Sequence, residues 1–214
     1  MSHNKIQHIY NVLHETLGVQ NWWPADSQFE VIIGAILTQN TSWNNVEKAI
    51  KNLKPFLTPE IIYEMDIEKL AILIKPSGFF NIKAKRIKNF LNWFYKYDFS
   101  IDRLEKIETE KLRNMLLSIN GIGKETADSI LLYALDKEAF VVDAYTKRIM
   151  TRIGITDNDN YDILQKLFID NLPKNTYIYN EYHALIVSLA KKYCRKNPIC
   201  NNCPLNMLCK HVQY

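Results

Sequence analysis

Residues 117–127 read Leu-Ser-Ile-Asn-Gly-Ile-Gly-Lys-Glu-Thr-Ala. An apolar helical run ends here, two glycines follow, and a second helical run begins. Gly121 and Gly123 permit backbone angles and close approaches that a Cβ would block, so the stretch predicts two helices joined by a tight corner. The second helix would open with N–H groups that have no partner inside it, a site suited to a phosphate oxygen. Read alone, a Gly-x-Gly between helices is as often a mere corner. Two neighbours favour a phosphate grip: Lys124, and a second turn, Ser77-Gly78-Phe79-Phe80-Asn81, followed by Lys83, Lys85, Arg86 and Lys88.

Outward from this corner the pattern is helical. Phe29 to Leu37 is apolar nearly all round, as in a buried helix, and 46–53 and 67–73 repeat at three and four residues. Thr58-Pro59-Glu60, Asp66 and Thr109-Glu110 predict helix starts, each a capping residue followed within two positions by a proline or an acid. Strand alternation is confined to 139–142. The chain reads as all-α, with about ten helices at a mean length of about 11–12 residues.

The chain has 214 residues, 47% of them hydrophobic, with 6 Gly and 7 Pro. That is enough to bury a sizeable core in one domain or two small ones. Its net charge is only +4, but the cations are grouped: seven Lys or Arg and no acid from Lys69 to Tyr97, and five after Ala190, again with no acid. Unopposed basic segments suggest a polyanionic partner, although solvated helix faces would read the same way. The amino terminus has no apolar signal-like core and no run approaches a membrane span, so a cytoplasmic location with no membrane partner is expected.

All four cysteines, Cys194, Cys200, Cys203 and Cys209, lie together as C-x5-C-x2-C-x5-C. A reducing compartment disfavours disulfides. Structural zinc usually takes two short C-x2-C knuckles, and only Cys200 and Cys203 form one. One tight pair flanked by distant cysteines suits a [4Fe-4S] cubane, with zinc as the alternative.

In combination, G-I-G-K-E-T-A at 121–127, V-V-D at 141–143, L-T-Q-N-T at 37–41 and the cysteine tail make the chain resemble the helix-hairpin-helix DNA glycosylases of the endonuclease III type. The order of the motifs is the family's, and they cover most of the chain. One departure is the first cysteine gap, which encloses five residues where the family usually has six.

The resemblance implies a six-helix barrel with the helix-hairpin-helix over 27–136. A second helical domain would be built from 1–26 and 137–214, carrying Asp143 and the cluster loop. It also implies a monomer acting on double-stranded DNA that contains a damaged base. The base is flipped out and its N-glycosidic bond is cut. Asp143 would be the catalytic carboxylate, though an aspartate opening a helical run is also an ordinary cap, and a cap leaves one carboxylate oxygen available. Bifunctional relatives have a lysine where Glu125 stands, whose amine forms a Schiff base. Lys124, one position away, turns about 100° from that direction. A monofunctional, water-using enzyme is therefore expected.

Gly121, Ile122, Gly123, Lys124, Thr126 and Lys83 would hold DNA, and Gln39 and Asn40 would enter the vacated stack. Trp22, Trp23, Pro24 and Trp43 would bind the base, since indole faces suit the cationic ring of an alkylated purine. Glu125, Tyr145 and Lys191 are further pocket candidates; His183, like Lys191, could reach the site from the last long helix, although lone residues of that kind are usually structural. In the adenine-mismatch branch a glutamate stands at Gly34. The tryptophans with G-I-G-K-E and V-V-D-A-Y look closest to the 3-methyladenine glycosylase branch, which predicts release of 3-methyladenine and 7-methylguanine. The alternatives are a glycosylase for another lesion with residual lyase activity, and a non-catalytic damage-binding protein.

Overall fold

A computed structural model describes residues 2–212. Among them are twelve α-helices and no strand: α1 (Ser2–Leu17), α2 (Gln28–Leu37), α3 (Trp43–Leu53), α4 (Pro59–Glu64), α5 (Ile67–Leu73), α6 (Phe80–Phe94), α7 (Ile101–Glu105), α8 (Thr109–Leu117), α9 (Lys124–Ser129), α10 (Ala144–Ile153), α11 (Tyr161–Asn171) and α12 (Thr176–Lys192). They fall into two compact units, a central one at Trp23–Lys137 and a terminal one made of Met1–Trp22 and Glu138–Tyr214.

The central unit is organised on α2. Ser27 caps it by accepting from the Glu30 N–H, and every residue from Phe29 to Leu37 is buried. Such a helix needs neighbours on all sides; α3, α6, α9 and the π-helical turn Ile130–Ala134 supply them. Each fully buried Ile or Leu among these contributes about 1.5–3 kcal/mol. Glu30 is the polar exception, and Lys54 Nζ reaches its carboxylate at 2.5 Å. Thr58 caps α4 as expected, whereas Asp66 makes no side-chain cap bond. The cap of α8 is Glu108 rather than Thr109: its carboxylate accepts from the N–H groups of Glu110 and Lys111, with a longer reach than a threonine hydroxyl has.

Inside the terminal unit, Ile6, Ile9 and Leu13 of α1 are fully buried, and α1 packs on α11 and α12. The Tyr182 hydroxyl donates to the Ile6 carbonyl at 3.0 Å. The alternation at 139–142 does not form a strand. All four side chains are buried, and side chains serve the backbone: Gln165 Nε2 donates to the Phe140 carbonyl and the Val142 N–H donates to the Tyr161 hydroxyl. A segment satisfied in this way has no need of a partner strand.

Candidate active site and nucleic-acid interface

The hairpin joins α8 to α9. Arg113 on α8 grips Asp128 on α9 with two bonds, Nε to Oδ1 at 2.6 Å and Nη2 to Oδ2 at 3.0 Å, and Asp128 is fully buried. Gly121 sits at φ +95°, and a Cβ there would fall 2.3 Å from Arg86 Cγ. Only glycine fits that position. Gly123 differs from its expected role: its φ is −93°, an ordinary value, and the space around a Cβ would be open. It is the N-cap of α9, which carries no side-chain cap bond. Lys124 and Glu125 are exposed on the first turn of α9.

Several residues expected at the DNA are committed inside the central unit. Lys83 is 1% exposed, and its ammonium donates to the carbonyls of Leu37 at 2.8 Å and Ser77 at 2.7 Å. It holds the end of α2 and does not fit a phosphate role. Burial, followed by the nearby Arg86, pushes its pKa down to about 8. Ile122 and Thr126 are buried too, so Ile122 can offer only its backbone, and the Thr126 hydroxyl accepts from Gln39. Gln39 also donates to the Gly121 carbonyl and accepts from Arg86, so inserting it into a base stack would break three bonds. Its neighbour Asn40 is exposed at φ +53°, and of the pair it is the one presented outward.

A residue that sequence reasoning passed over stands at the second turn. Phe79 is 66% exposed with φ +46°, directly after Gly78 at φ +66°. An exposed phenyl ring on a left-handed backbone position is costly twice over, and such strain collects at functional sites. The Gly-Phe-Phe string was the available signal.

The aromatic residues divide between the units. In the central unit Trp23 meets Trp43 edge-on at 5.0 Å between ring centroids and Tyr133 at 5.3 Å. Trp43 Nε1 donates to Glu47 at 2.7 Å. Gly34 makes room for this group, because a Cβ there would come 3.1 Å from the Trp23 ring. Tyr133 was missed because it lies 110 residues along the chain from Trp23. Pro24 is exposed beside them. Trp22 belongs to the terminal unit, where Lys191 Nζ lies 5.7 Å from its ring centroid.

In the terminal unit Asp143 caps α10: Oδ1 accepts from the Thr146 N–H at 2.7 Å and the Thr146 hydroxyl at 2.9 Å. Oδ2 lies 3.6 Å from His183 Nε2 on α12. Burial alone would raise the Asp143 carboxyl, but His183 and then Thr146 outweigh it and hold the group below the usual aspartate range. A carboxylate kept ionised in a secluded place can stabilise a developing cation. Tyr145 lies instead beside Arg148, whose guanidinium is 5.1 Å from its ring.

The four cysteines follow α12, and none forms a disulfide. Arg148 donates to the Cys194 carbonyl, and Arg152 Nη1 donates to Cys194 Sγ at 3.4 Å. Burial pushes the Cys203 thiol up, the Leu205 N–H pulls it down, and the thiols of Cys194, Cys209 and Cys200 raise it further. Among the described residues, no group of three or more His, Cys, Asp or Glu side chains converges closely enough to hold a single metal ion.

Comparison with known proteins gives a consistent picture. Residues 33–174 match the family described as HhH-GPD superfamily base excision DNA repair protein. A DNA repair glycosylase candidate of Methanocaldococcus jannaschii is 52% identical over 98% of this chain and 99% of its own length. Among solved structures, the H. pylori 3-methyladenine DNA glycosylase MagIII, bound to 1,N6-ethenoadenine, is 29% identical. It superposes with a TM-score of 0.76 over 89% of this chain and 97% of its own. A non-covalent endonuclease III–DNA complex gives a TM-score of 0.85 over 100% of this chain and 97% of its own, at 20% identity, which establishes the shared fold.

Proposed function

The chain belongs to the HhH-GPD superfamily of base excision DNA repair glycosylases, of the endonuclease III-like kind, and we propose that it is a monofunctional N-glycosylase for alkylated purines in duplex DNA. The observation that carries the reading is Asp143: a secluded carboxylate with one oxygen locked by Thr146 and held ionised.

The chemistry asked of it is modest. The bond from C1′ to the purine nitrogen breaks and its electron pair leaves with the base. In a 3- or 7-alkylated purine that pair neutralises a positive ring, so no proton need be supplied to the leaving group. The sugar becomes cationic, Asp143 stabilises that charge, and water attacks C1′. The water's proton passes to the carboxylate and on to solvent. Glu125 stands where a lyase would need an amine, so the product would be an intact abasic strand.

Trp23, Trp43 and Tyr133 supply the aromatic surface suited to a cationic ring. The 29% identity to a 3-methyladenine glycosylase supports the same substrate class. The hairpin from Gly121 to Lys124 would hold the phosphate backbone, with Asn40 and the exposed Phe79 as wedges that fill the vacated stack. Cys194, Cys200, Cys203 and Cys209 fit a [4Fe-4S] cluster as a donor set: four neighbouring thiols, with a guanidinium N–H directed at one sulfur as suits a thiolate. When bound, the cluster would hold the basic loop at Arg195 and Lys196 in shape; the hydrolysis does not pass through it.

The test is base release from methylated duplex DNA by the wild-type protein and Asp143→Asn in parallel, followed by a gel with and without alkali. Release of 3-methyladenine or 7-methylguanine by the wild type alone, with strand breaks only after alkali, is the expected result. Breaks without alkali would reveal a lyase amine, and no release would refute the substrate class.

A further inference from the structure

We infer that His183 is a positioning residue for the reaction at Asp143: its imidazole orients the outer carboxylate oxygen. The inference rests on the reading of Asp143 as the reacting carboxylate. Thr146 already occupies Oδ1 with two donors, so Oδ2 is the oxygen left to serve a substrate. That oxygen lies 3.6 Å from His183 Nε2.

Both side chains are withdrawn from water, with His183 8% and Asp143 14% exposed. In such surroundings a carboxylate short of donors drifts toward its neutral form, which could not stabilise a sugar cation. The pair is set by the core of one unit. α10 and α12 pack side by side, and Tyr182 and Leu185, close to His183 in the sequence, are fully buried. At 3.6 Å the contact is longer than a hydrogen bond, as catalytic contacts often are before the reacting complex forms.

Several other charged groups on the packed elements are engaged elsewhere. Arg148 and Arg152 of α10 donate to the backbone at Cys194, Arg195 and Lys196. On α12, Glu181 accepts from the Gln20 N–H and Lys191 lies over Trp22. Lys210, which follows the last cysteine, lies along Gly154. His183 and Thr146 are accordingly the groups that set the carboxyl's state.

The sign of the effect follows. Asp143 acts as the ionised form, and its depressed pKa keeps that form populated until the solution is more acidic than free aspartate would require. Without His183, burial is opposed by Thr146 alone, and the acid limb of the rate profile moves to higher pH.

The experiment compares wild type, His183→Ala, His183→Gln and Asp143→Asn as full-length proteins. Single-turnover base release from methylated duplex is followed from about pH 5 to pH 8, and affinity for an abasic-analogue duplex is measured alongside. Losing the donor that closes on the carboxylate in the reacting complex should slow His183→Ala by about tenfold to a hundredfold near neutrality, with affinity retained and the acid limb displaced upward. His183→Gln, whose amide can donate to Oδ2, should recover most of the rate. A folded His183→Ala protein with wild-type rate and an unmoved acid limb would overturn the inference while leaving Asp143 in place. Equal losses in both His183 variants with an unmoved limb would reduce the residue to packing, and likewise refute it. Carboxyl 13C titration of Asp143 provides a readout that does not need turnover. If it titrates at the same pH with and without His183, the inference fails even if the substrate class proves wrong.

Discussion

Asp128→Asn should destabilise the protein by about 3–5 kcal/mol, because it removes the charge from one side of a buried pair. The structure sets this magnitude in the upper range. Asp128 is fully buried and Arg113 is 14% exposed, so solvent cannot take over the lost interaction, and both guanidinium bonds converge on the one carboxylate. Against a total stability of roughly 5–15 kcal/mol, such a loss is a large fraction. Urea unfolding followed by circular dichroism measures it, with Arg113→Met as the companion change. The double variant Arg113→Met/Asp128→Leu distinguishes a charge effect from a packing effect. It should regain most of the stability, since replacing both partners with apolar groups is often neutral, whereas removing one is not. Because the pair ties α8 to α9, the single variants should also weaken duplex binding through the hairpin, and the double variant should restore it. Singles within about 0.5 kcal/mol of wild type, typical of surface changes, would refute the argument. A double variant as unstable as the singles would do the same.

Gly121→Ala meets both a left-handed φ and the Arg86 stem, so a loss of about 1–3 kcal/mol in thermal unfolding is expected, along with weaker duplex affinity. Gly34→Ala sets two effects against each other: about 1 kcal/mol of helix propensity gained, against a Cβ 3.1 Å from the Trp23 ring. Stability should change little while base release falls, and unchanged kinetics would show that Trp23 has no part in the pocket. Lys83 has a folded pKa of about 8, below its unfolded value, so the unfolded chain binds more protons between those two values. Its contribution to stability should therefore rise as pH climbs from about 8 toward about 10.4, and Lys83→Met should flatten that rise in urea titrations.

Where a property was local, it could be read from the chain. The unbroken apolar run at Phe29 to Leu37 announced a helix buried on all sides, and α5 runs from Ile67 to Leu73 as its periodicity predicted. The cap at Thr58 needed only its own sequence neighbourhood. What could not be read were contacts made across the chain. Lys83 looks like any surface lysine until the Leu37 carbonyl, 46 residues earlier, is brought to it. The adjacent tryptophans, Trp22 and Trp23, fall in different compact units, a boundary that nothing in their sequence neighbourhood announces. His183 reads as an ordinary core histidine until α12 is laid against α10.

Lysine side chains that end on carbonyls have a consequence for how this protein should respond to ionic strength. Lys83 and Lys88, both in the first basic segment, donate to the backbone, and Lys88 by itself reaches the carbonyls of Ile62, Tyr63 and Met65. A cation held in this way cannot displace a condensed counterion from a duplex. The slope of log affinity against log salt, about 0.9 per phosphate neutralised, should therefore count fewer charges than the basic segments of the sequence advertise. The internal cations should leave that slope unchanged when mutated, and Lys124 should lower it by about one.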